Sequence, residues 1–432
     1  MSVADEDDRR VRLRSLGLTV PELDAVLAFA PRVAADCQPG VEDELVSLLY
    51  SHRWIVPFSW PEWHQGLAME RERAPLDDVD LAHVIKLVTA HMRQDRFFGG
   101  HLRSVLTSGR FAEILGRLGS IRSQLLHMPD YTAADLDRFK VLVMSDSPYQ
   151  ASLRLHQARW RERNGLAIGE YRGREYGNFL RMPDAERTLA NYLTDEIRGV
   201  VRREVLERDA GDGRLFGRPR IFNNLLSSQP LCFNVFAPLA LDLELATRVV
   251  RALDEDLEAM SAEVTAVRFE HSPARRDPRY TGDRSAFDVF FEYRAGDRRG
   301  FLGIEVKYHE DLDDDEATIS PRHEKLAAVS GAFKAERLVD ARRRPLHQLW
   351  RDHLLALAML AADDYDEGRF VVVFPRHNLP CAAAVIRYRD CLVRPESFGW
   401  WTLEALFASL ELAGAGREWI GALHDRYAPR RE

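Results

Sequence analysis

The sequence predicts an α/β (α+β) fold in which a central sheet flanked by helices follows a small all-α N-terminal domain. The chain has 432 residues, which suggests about two or three domains of roughly 100–200 residues each. Apolar residues recur at helical spacing through residues 9–125. After a helix predicted at 239–260, the apolar period changes from that of a helix to the alternation that is typical of strands.

The composition is that of a globular protein, with 46% apolar and 30% charged residues, and it excludes a disordered chain. No stretch approaches the roughly 20 apolar residues of a membrane span, and the first residues lack the apolar core of a signal peptide. Four cysteines lie far apart without a CxxC pair, at Cys37, Cys232, Cys381 and Cys391. This spacing argues against a zinc ribbon or a disulfide framework. We therefore expect a cytoplasmic protein without membrane contact.

The formal charge of −8 does not indicate nucleic-acid binding, although such a sum can hide a local basic groove. Lysine is rare: it occurs at Lys86, Lys140, Lys307, Lys325 and Lys334, and the other basic residues are arginines. Because arginine is the usual basic residue of this chain, a lysine beside candidate site residues is stronger evidence for a function that needs lysine.

The N-terminal domain is predicted as helices at 41–52, 79–92, 97–106 and 111–118, with three tryptophans in 54–63 packed in a small core. The segment IKLVTAHMRQDRFFGGHLRSVLTSGRFAEILGRL resembles a small prokaryotic domain family of unknown function. The matching residues are Arg93, Asp95, Arg96, Phe97, Gly100, Leu102, Ser108 and Gly109. We expect this helical domain to occupy residues 1–125, followed by a linker at 126–150.

The remaining chain, residues 151–432, is predicted as the second domain. Its helices are expected at 152–163, 185–208, 239–260, 346–362, 402–412 and 416–427. Its strands are expected at 264–270, 287–294, 301–308, 370–374 and 382–389. The run FVVVF at 370–374 is typical of a strand that is buried on both faces.

The second and third of these strands form a predicted hairpin that carries the main candidate site. A turn centred at 297–298 sets Asp288 opposite Lys307. Strand alternation then gathers Asp288, Glu305 and Lys307 on one face, with apolar residues on the other. An alternative interpretation is a cross-strand salt bridge on a solvated sheet face.

Two carboxylates beside one ammonium suit the hydrolysis of a phosphodiester. The two carboxylates repel each other unless a cation lies between them, and Mg²⁺ takes one or two carboxylates together with several waters. Such a cation polarises a phosphoryl oxygen and lowers the pKa of a bound water. The lysine can orient or deprotonate the attacking water, for which Lys is better suited than Arg because its pKa can shift. We expect Mg²⁺ as the cofactor, with Mn²⁺ as a substitute.

The motif Asp288…Glu305-x-Lys307 and the order of elements around it resemble the PD-(D/E)XK nuclease superfamily. The resemblance implies a restriction-endonuclease-like fold with a mixed central sheet, whose catalytic core spans about residues 225–395. It also implies that Asp288 and Glu305 are metal ligands and that Lys307 is the catalytic lysine. The proline that names the motif is absent, because Ala286 and Phe287 precede the aspartate.

Gln348 lies in HQLWRDHLLALAML, near the start of the helix predicted at 346–362. A glutamine there resembles the Q-x-x-Y-like helix motif of RecB-type members, although Arg351 and His353 stand where a tyrosine is expected. The resemblance implies a catalytic role for Gln348. The alternative is that Gln348 caps or decorates an amphipathic helix.

Two further blocks, WRERNGLAIGE at 160–170 and LLSSQPLCFNVFAPL at 225–239, resemble segments of bacterial restriction-endonuclease-like proteins. In the second block, Gln229 and Asn234 have two interpretations. They bind the backbone of a buried turn, or they contact the DNA backbone as substrate-binding residues.

Two acidic features are weaker candidates. Glu244 stands where many superfamily members carry an extra acidic metal ligand, but it could equally pair with Arg248 four residues later. The run EDLDDDE at 310–316 could recruit metal or form a solvated loop. The sequence contains no HExxH, Walker A or GxGxxG motif.

These features predict a metal-dependent DNA endonuclease that acts in prokaryotic restriction or phage defence. One alternative is a non-catalytic DNA-binding or assembly subunit on a nuclease fold, and another is an RNA-directed nuclease. Because many superfamily members dimerise to cut both strands, the resemblance also allows a homodimer.

Overall fold

The computed structural model describes residues 3–33, 38, 40–127, 131–208, 213–312 and 319–428. The chain divides into two compact units, Met1–His127 and Met128–Glu432. The helices of the first unit are α1 (Val3–Gly17), α2 (Val20–Leu27), α3 (Val41–Ser51), α4 (His64–Arg71), α5 (Leu81–Phe97), α6 (His101–Thr107) and α7 (Arg110–Leu126). The described part of this unit is all-α, as predicted, and its core includes the fully buried Trp54.

The second unit contains helices and strands. Its helices up to the central sheet are α8 (Ala133–Arg138), α9 (Pro148–Arg163), α10 (Asp184–Thr188), α11 (Asp195–Val201), α12 (Arg220–Asn223), α13 (Ser228–Leu241), α14 (Leu243–Leu253) and α15 (Glu255–Ala259). Its later helices are α16 (Pro321–Ser330), α17 (Leu338–Ala341), α18 (His347–Ala361), α19 (Leu379–Arg389), α20 (Leu403–Leu412) and α21 (Arg417–Tyr427). Its strands are β1 (Ile168–Tyr171), β2 (Arg174–Leu180), β3 (Glu263–His271), β4 (Phe287–Ala295), β5 (Arg298–Val306), β6 (Glu367–Phe374) and β7 (Phe398–Thr402).

The central sheet has five strands in the order β3-β4-β5-β6-β7. The first three strands are antiparallel, whereas β5, β6 and β7 run parallel to one another. One face packs Val289 and Ile304 into a core with α13 and α20, and the other packs Phe290 and Val372 against α18. The predicted α/β fold with a mixed central sheet is therefore confirmed.

The β4–β5 hairpin differs from its predicted register. Ala295 pairs with Arg298 around a two-residue turn, and Gly296 has the positive φ of +61° that the first turn position requires. Continuing this register sets Asp288 opposite Glu305, not opposite Lys307. The error spans two residues, so it leaves both carboxylates on the same face of the sheet.

The predicted helix at 239–260 is broken into the end of α13, α14 and α15. Asp242 and Asp254 stand at the two breaks, where each carboxylate accepts a backbone N–H of the helix that follows. Both residues therefore act as N-caps, which favour starting a new helix over continuing the old one.

The predicted strand at 382–389 is wrong, because these residues belong to α19. The side chain of Asn378 caps this helix by accepting the N–H of Cys381, and a proline follows in the first turn. The fifth strand is β7, which lies beyond the range 225–395 predicted for the catalytic core.

Helix α13 crosses the core of the second unit and is buried on nearly all sides. Among the described residues no single helix is long and apolar enough to cross a membrane, although the bent pair α13–α14 passes by length and composition alone. Three cysteines, Cys232, Cys381 and Cys391, are free thiols, and Cys37 lies outside the described residues.

Candidate active site

Three carboxylates lie side by side across β3, β4 and β5. The pairing of Phe269 with Val289 sets Glu270 opposite Asp288, and the next pair of strands sets Asp288 opposite Glu305. Neighbouring strands are about 4.8 Å apart, so these side chains share one small region of the sheet. We call Glu270, Asp288 and Glu305 the acid row.

Lys307 follows β5 directly and is held in a closed triangle of polar contacts. Its Nζ lies 3.2 Å from Oε1 of Glu305 and donates a hydrogen bond of 2.9 Å to Oε1 of Gln348. The amide Nε2 of Gln348 donates to the same Glu305 oxygen at 2.8 Å. The first turn of α18 therefore brings Gln348 onto the acid row, and its side chain is not a helix cap.

Asp288 is held in place by the backbone of β5 and lies in an acidic environment. Its Oδ2 accepts the N–H of Val306 at 2.9 Å. Burial, and then the carboxylates of Glu305 and Glu270, raise the pKa of Asp288 well above the ordinary value. Glu270 is paired with Arg275 at 3.0 Å and Glu305 with Lys307 at 3.2 Å, so two cations face the three carboxyl groups of the acid row, and a divalent cation stabilises such an excess of acid.

The acid row fits Mg²⁺ through two carboxylates and not through a larger cage. Among the residues that the structure describes, no group of three or more His, Cys, Asp or Glu side chains is arranged to hold a metal ion. Mg²⁺ often binds one or two carboxylates and keeps its waters. Asp288 and Glu305 suffice for that mode of binding.

The charge state of Lys307 follows from its neighbours. Burial by itself would lower the pKa of this ammonium, but the carboxylates of Glu305, Glu310 and Asp288 outweigh burial and raise the pKa above the ordinary value. The charged form of Lys307 is therefore favoured beside these carboxylates, which suits the orienting role that the sequence suggested.

Glu310 fastens the segment after Lys307 to the start of α13. Its Oε1 accepts the N–H of Ser228 at 3.2 Å, and its Oε2 accepts the N–H of Tyr308 at 3.0 Å. Burial alone would raise the pKa of Glu310, but its contact with His309, with Lys307 and the Tyr308 amide nearby, lowers the pKa to about 2. Glu310 thus has a structural role, while residues 313–316 of the acidic run lie outside the described residues.

We expect Glu310→Gln to weaken folding by about 1–2 kcal/mol at neutral pH, because it removes charge-assisted hydrogen bonds. The stabilising effect of a carboxylate with a lowered pKa is present above the ordinary value of 4.5 and is lost as the pH falls towards about 2. When the pH falls from about 5 to about 3, the variant should therefore lose less stability than the parent. Urea denaturation at several pH values measures this, and equal acid sensitivity of the two proteins would contradict it.

Gln229 and Asn234 lie in the core and bind the protein backbone. Gln229 accepts the N–H of Gly217 at 2.9 Å and donates to the carbonyl of Leu215 at 3.3 Å. Asn234 accepts the N–H of Leu193 at 2.9 Å and donates to the carbonyl of Asn191 at 3.1 Å. These contacts favour the structural interpretation of both residues over contact with DNA.

Glu244 lies away from the acid row. It is exposed in the first turn of α14, and Thr247, one turn later, accepts the N–H of Val264. Val264 is near the start of β3 and precedes Glu270 by about 20 Å of strand, at roughly 3.3 Å per residue. Arg248 donates to the carbonyl of Ala413. The additional acid beside Asp288 is therefore Glu270 and not Glu244, and the sequence analysis missed it.

Arg351 and His353 occupy different environments on α18. Arg351 donates to Oδ2 of Asp283 at 2.9 Å, and the His323 ring also contacts this oxygen, at 3.1 Å. This contact ties the loop before β4 to α18. His353 is buried in the core, where its Nδ1 contacts the hydroxyl of Tyr388 at 3.0 Å. Neither residue takes the place of a tyrosine at the acid row.

Two family models match parts of the chain. Residues 34–124 match a family of unknown function, DUF6508. No curated protein and no solved structure matches the chain. Residues 144–429, which are more than half of the chain, match the family model of the PD-(D/E)XK nuclease superfamily. The chain therefore belongs to the PD-(D/E)XK nuclease superfamily, whose members are typically nucleases.

Proposed function

We propose that the second unit is a metal-dependent endonuclease that hydrolyses phosphodiester bonds of DNA. The observation that carries this proposal is the triangle of Lys307, Glu305 and Gln348 beside Asp288 on one face of the sheet. All four residues retain side chains that can hold a cation, a water or a phosphate oxygen, which argues against a subunit that has lost catalysis.

Asp288 and Glu305 are the residues that would hold Mg²⁺, with Mn²⁺ as a substitute. When bound, the cation withdraws charge from a phosphoryl oxygen and makes a coordinated water more acidic. Asp288 is already oriented by the N–H of Val306, so one of its oxygens is fixed before any cation arrives.

The protein's own groups bind and orient the reactants. The ammonium of Lys307 is positioned to donate to a phosphate oxygen or to the attacking water, and it offsets the negative charge that grows in the transition state. Gln348 accepts from Lys307 and donates to Glu305, so one amide fixes the relative positions of the acid and the ammonium. Glu310 and Ser228 hold the end of β5 that carries Lys307.

Nicking of supercoiled plasmid by the full chain tests the proposal. Cleavage should require Mg²⁺ or Mn²⁺, stop in EDTA and be absent from Asp288→Asn. Single-stranded and duplex RNA of matched sequence form a second arm. Preferred cleavage of RNA would favour the RNA-directed alternative, and tight DNA binding without cleavage would favour the non-catalytic subunit.

The proposal extends to a cytoplasmic role in prokaryotic restriction or phage defence, the context that the family resemblance suggested. Plating of phage on cells that express the parent or Asp288→Asn tests this role. Equal plating on both strains would contradict a defence role while leaving the nuclease activity intact.

Gln348→Ala should lower the cleavage rate by more than tenfold, which corresponds to about 1.4 kcal/mol in the barrier. The loss arises because Lys307 and Glu305 lose the amide that orients them both. Single-turnover cleavage and thermal unfolding should be measured together, with Gln124→Ala in the first unit as a matched control. A fall in stability with unchanged turnover per folded molecule would make Gln348 purely structural.

A further inference from the structure

A cavity at the end of β3 has no role in the arrangement described so far. Its volume is about 430 Å³, which is in the range of pockets that hold a small ligand. It lies beside an edge strand of the central sheet. Of the described residues that line it, only one is acidic, and its polar lining consists of Arg208, Arg214, Glu270, His271, Ser272 and Arg275. We call it the arginine cavity.

The arginine cavity shares a wall with the acid row. Glu270 belongs to both, and Arg275 joins them: its Nη2 donates to Oε1 of Glu270 at 3.0 Å and to the Glu270 carbonyl at 3.2 Å. Its Nη1 donates to the carbonyl of Arg284 at 2.9 Å. The guanidinium of Arg275 is therefore fixed in place, and the cavity begins one side chain away from the acid row.

The opposite wall brings two further guanidinium groups together. Nη1 of Arg208 donates to Oε2 of Glu204 at 2.8 Å, and Nη1 of Arg214 donates to the same oxygen. The side chain of Arg214 is only 14% exposed. Like charges at such short range favour an anion beside them, and guanidinium groups match the oxygens of a phosphate in geometry.

The wall residue His271 lies in the field of these cations. Burial lowers its pKa first, and the guanidinium groups of Arg268, Arg214 and Arg275 lower it further, to about 3. Nearby positive charge has this effect because it disfavours a second cation. The field therefore agrees with the lining in favouring an anionic ligand.

A nucleic acid strand brings a row of such anions to the acid row. Each strand of a duplex carries one phosphate per roughly 3.4 Å of helix axis. Neighbouring strands of a sheet are about 4.8 Å apart, so the cavity lies on the order of 10 Å from the midpoint of Asp288 and Glu305. This distance corresponds to about one to three nucleotides along the strand.

We propose that the arginine cavity binds a phosphate of the substrate strand that lies about one to three nucleotides from the scissile phosphate, with Arg214 and Arg275 as the donors. This assignment rests on the proposed nuclease function and deepens it. A phosphate held in the cavity fixes the position of the strand, so it determines which phosphate reaches Asp288 and Glu305. Binding energy from a group that does not react is then used to orient the group that does.

Arg214→Gln in the full chain tests the proposal through DNA binding, measured in EDTA so that no cation supports cleavage. We expect the affinity to fall by about tenfold and the slope of log affinity against log salt to decrease by about one. Arg214→Lys should regain part of the loss, because it keeps the charge but not the fork of donors. Arg417→Gln, at an exposed position in the first turn of α21, is the matched control. Parental affinity and slope in Arg214→Gln would overturn the proposal.

Neutral phosphate analogues locate the contact. After the cleavage position of the parent has been mapped on a duplex oligonucleotide, single methylphosphonates are placed at each neighbouring phosphate. One of them, about one to three nucleotides from the cut, should weaken binding to the parent by about tenfold and have little further effect on Arg214→Gln. Equal sensitivity of both proteins at every position would show that the cavity does not hold a phosphate of the strand.

A second variant keeps all three arginines and so does not depend on the fold tolerating their loss. Ser272→Asp adds a carboxylate to the cavity, which should repel a phosphate and lower the affinity for DNA by about tenfold. Ser145→Asp adds the same charge at an exposed position outside the cavity and serves as the control. Equal affinities of the two variants, with unchanged melting temperatures, would contradict the proposed site.

Two further results separate this proposal from its alternatives. Isothermal titration with inorganic phosphate tests a free ligand: phosphate binding that is lost in Arg214→Gln while DNA affinity and salt slope stay parental would make the cavity a site for a small phosphorylated molecule and overturn the proposal. A parent that cleaves neither DNA nor RNA with Mn²⁺ would overturn the nuclease function, whereas cleavage with parental salt slopes in Arg214→Gln would overturn only the role of the cavity.

Discussion

Lys307→Ala should reduce cleavage by about 10²–10³-fold, the usual loss when one donor that stabilises a transition state is removed. The affinity for DNA should change little, because one ammonium among many basic groups contributes little to phosphate neutralisation. Single-turnover rates and binding isotherms on the same duplex separate the two effects. We expect the rate to fall at saturating protein, where binding is no longer limiting.

The matched control is Lys325→Ala, which removes an exposed lysine on α16. Lys307→Arg adds information, because it keeps the charge but must place a larger planar group where only 6% of Lys307 is exposed. We expect this variant to be poor as well. Normal cleavage by Lys307→Ala would contradict the proposed site, whereas normal cleavage by Lys307→Arg alone would show that only the positive charge matters.

Asp288→Asn should abolish cleavage and, in the absence of divalent cations, stabilise the fold. The substitution removes one of three carboxylates that repel one another across β3, β4 and β5. Thermal unfolding in EDTA should therefore give a higher melting temperature for the variant than for the parent. Cleavage should be lost because the cation keeps only Glu305 as a carboxylate ligand.

Addition of Mn²⁺ should reverse this order of stability. A cation that binds only the folded parent stabilises it by about 2.7 kcal/mol at a concentration of 100 times its Kd. The variant should gain much less. Asp297→Asn in the exposed hairpin turn is the control and should behave as the parent does. If Asp288→Asn were less stable in EDTA and still responded to Mn²⁺ as the parent does, Asp288 would not be a metal ligand.

The residues of the β4–β5 hairpin could be assigned to one face from the sequence because they are linked by short-range rules. Strand alternation and a tight turn suffice to place Asp288 and Glu305 together, and an error of two residues in the register changes nothing about the face. The family resemblance predicted the mixed sheet and the position of Gln348 beside the candidate site. The structure shows the mixed strand directions and the contacts of Gln348 with Lys307 and Glu305.

The sequence alone could not show the environment that completes the site. Glu270 reaches Asp288 only because β3 pairs with β4 across a long loop, and no local rule gives the register of such a pair. The packing of α18 on the sheet, which leaves one oxygen of Asp352 buried without a hydrogen-bond partner among the described residues, likewise cannot be read from the sequence. Glu310 belongs to an acidic run for which the sequence allowed a solvated loop, yet its carboxylate accepts a backbone N–H at the start of α13. Periodicity determines which face of an element a residue occupies, whereas contacts between distant elements depend on packing, and packing alone decided which carboxylates share one site.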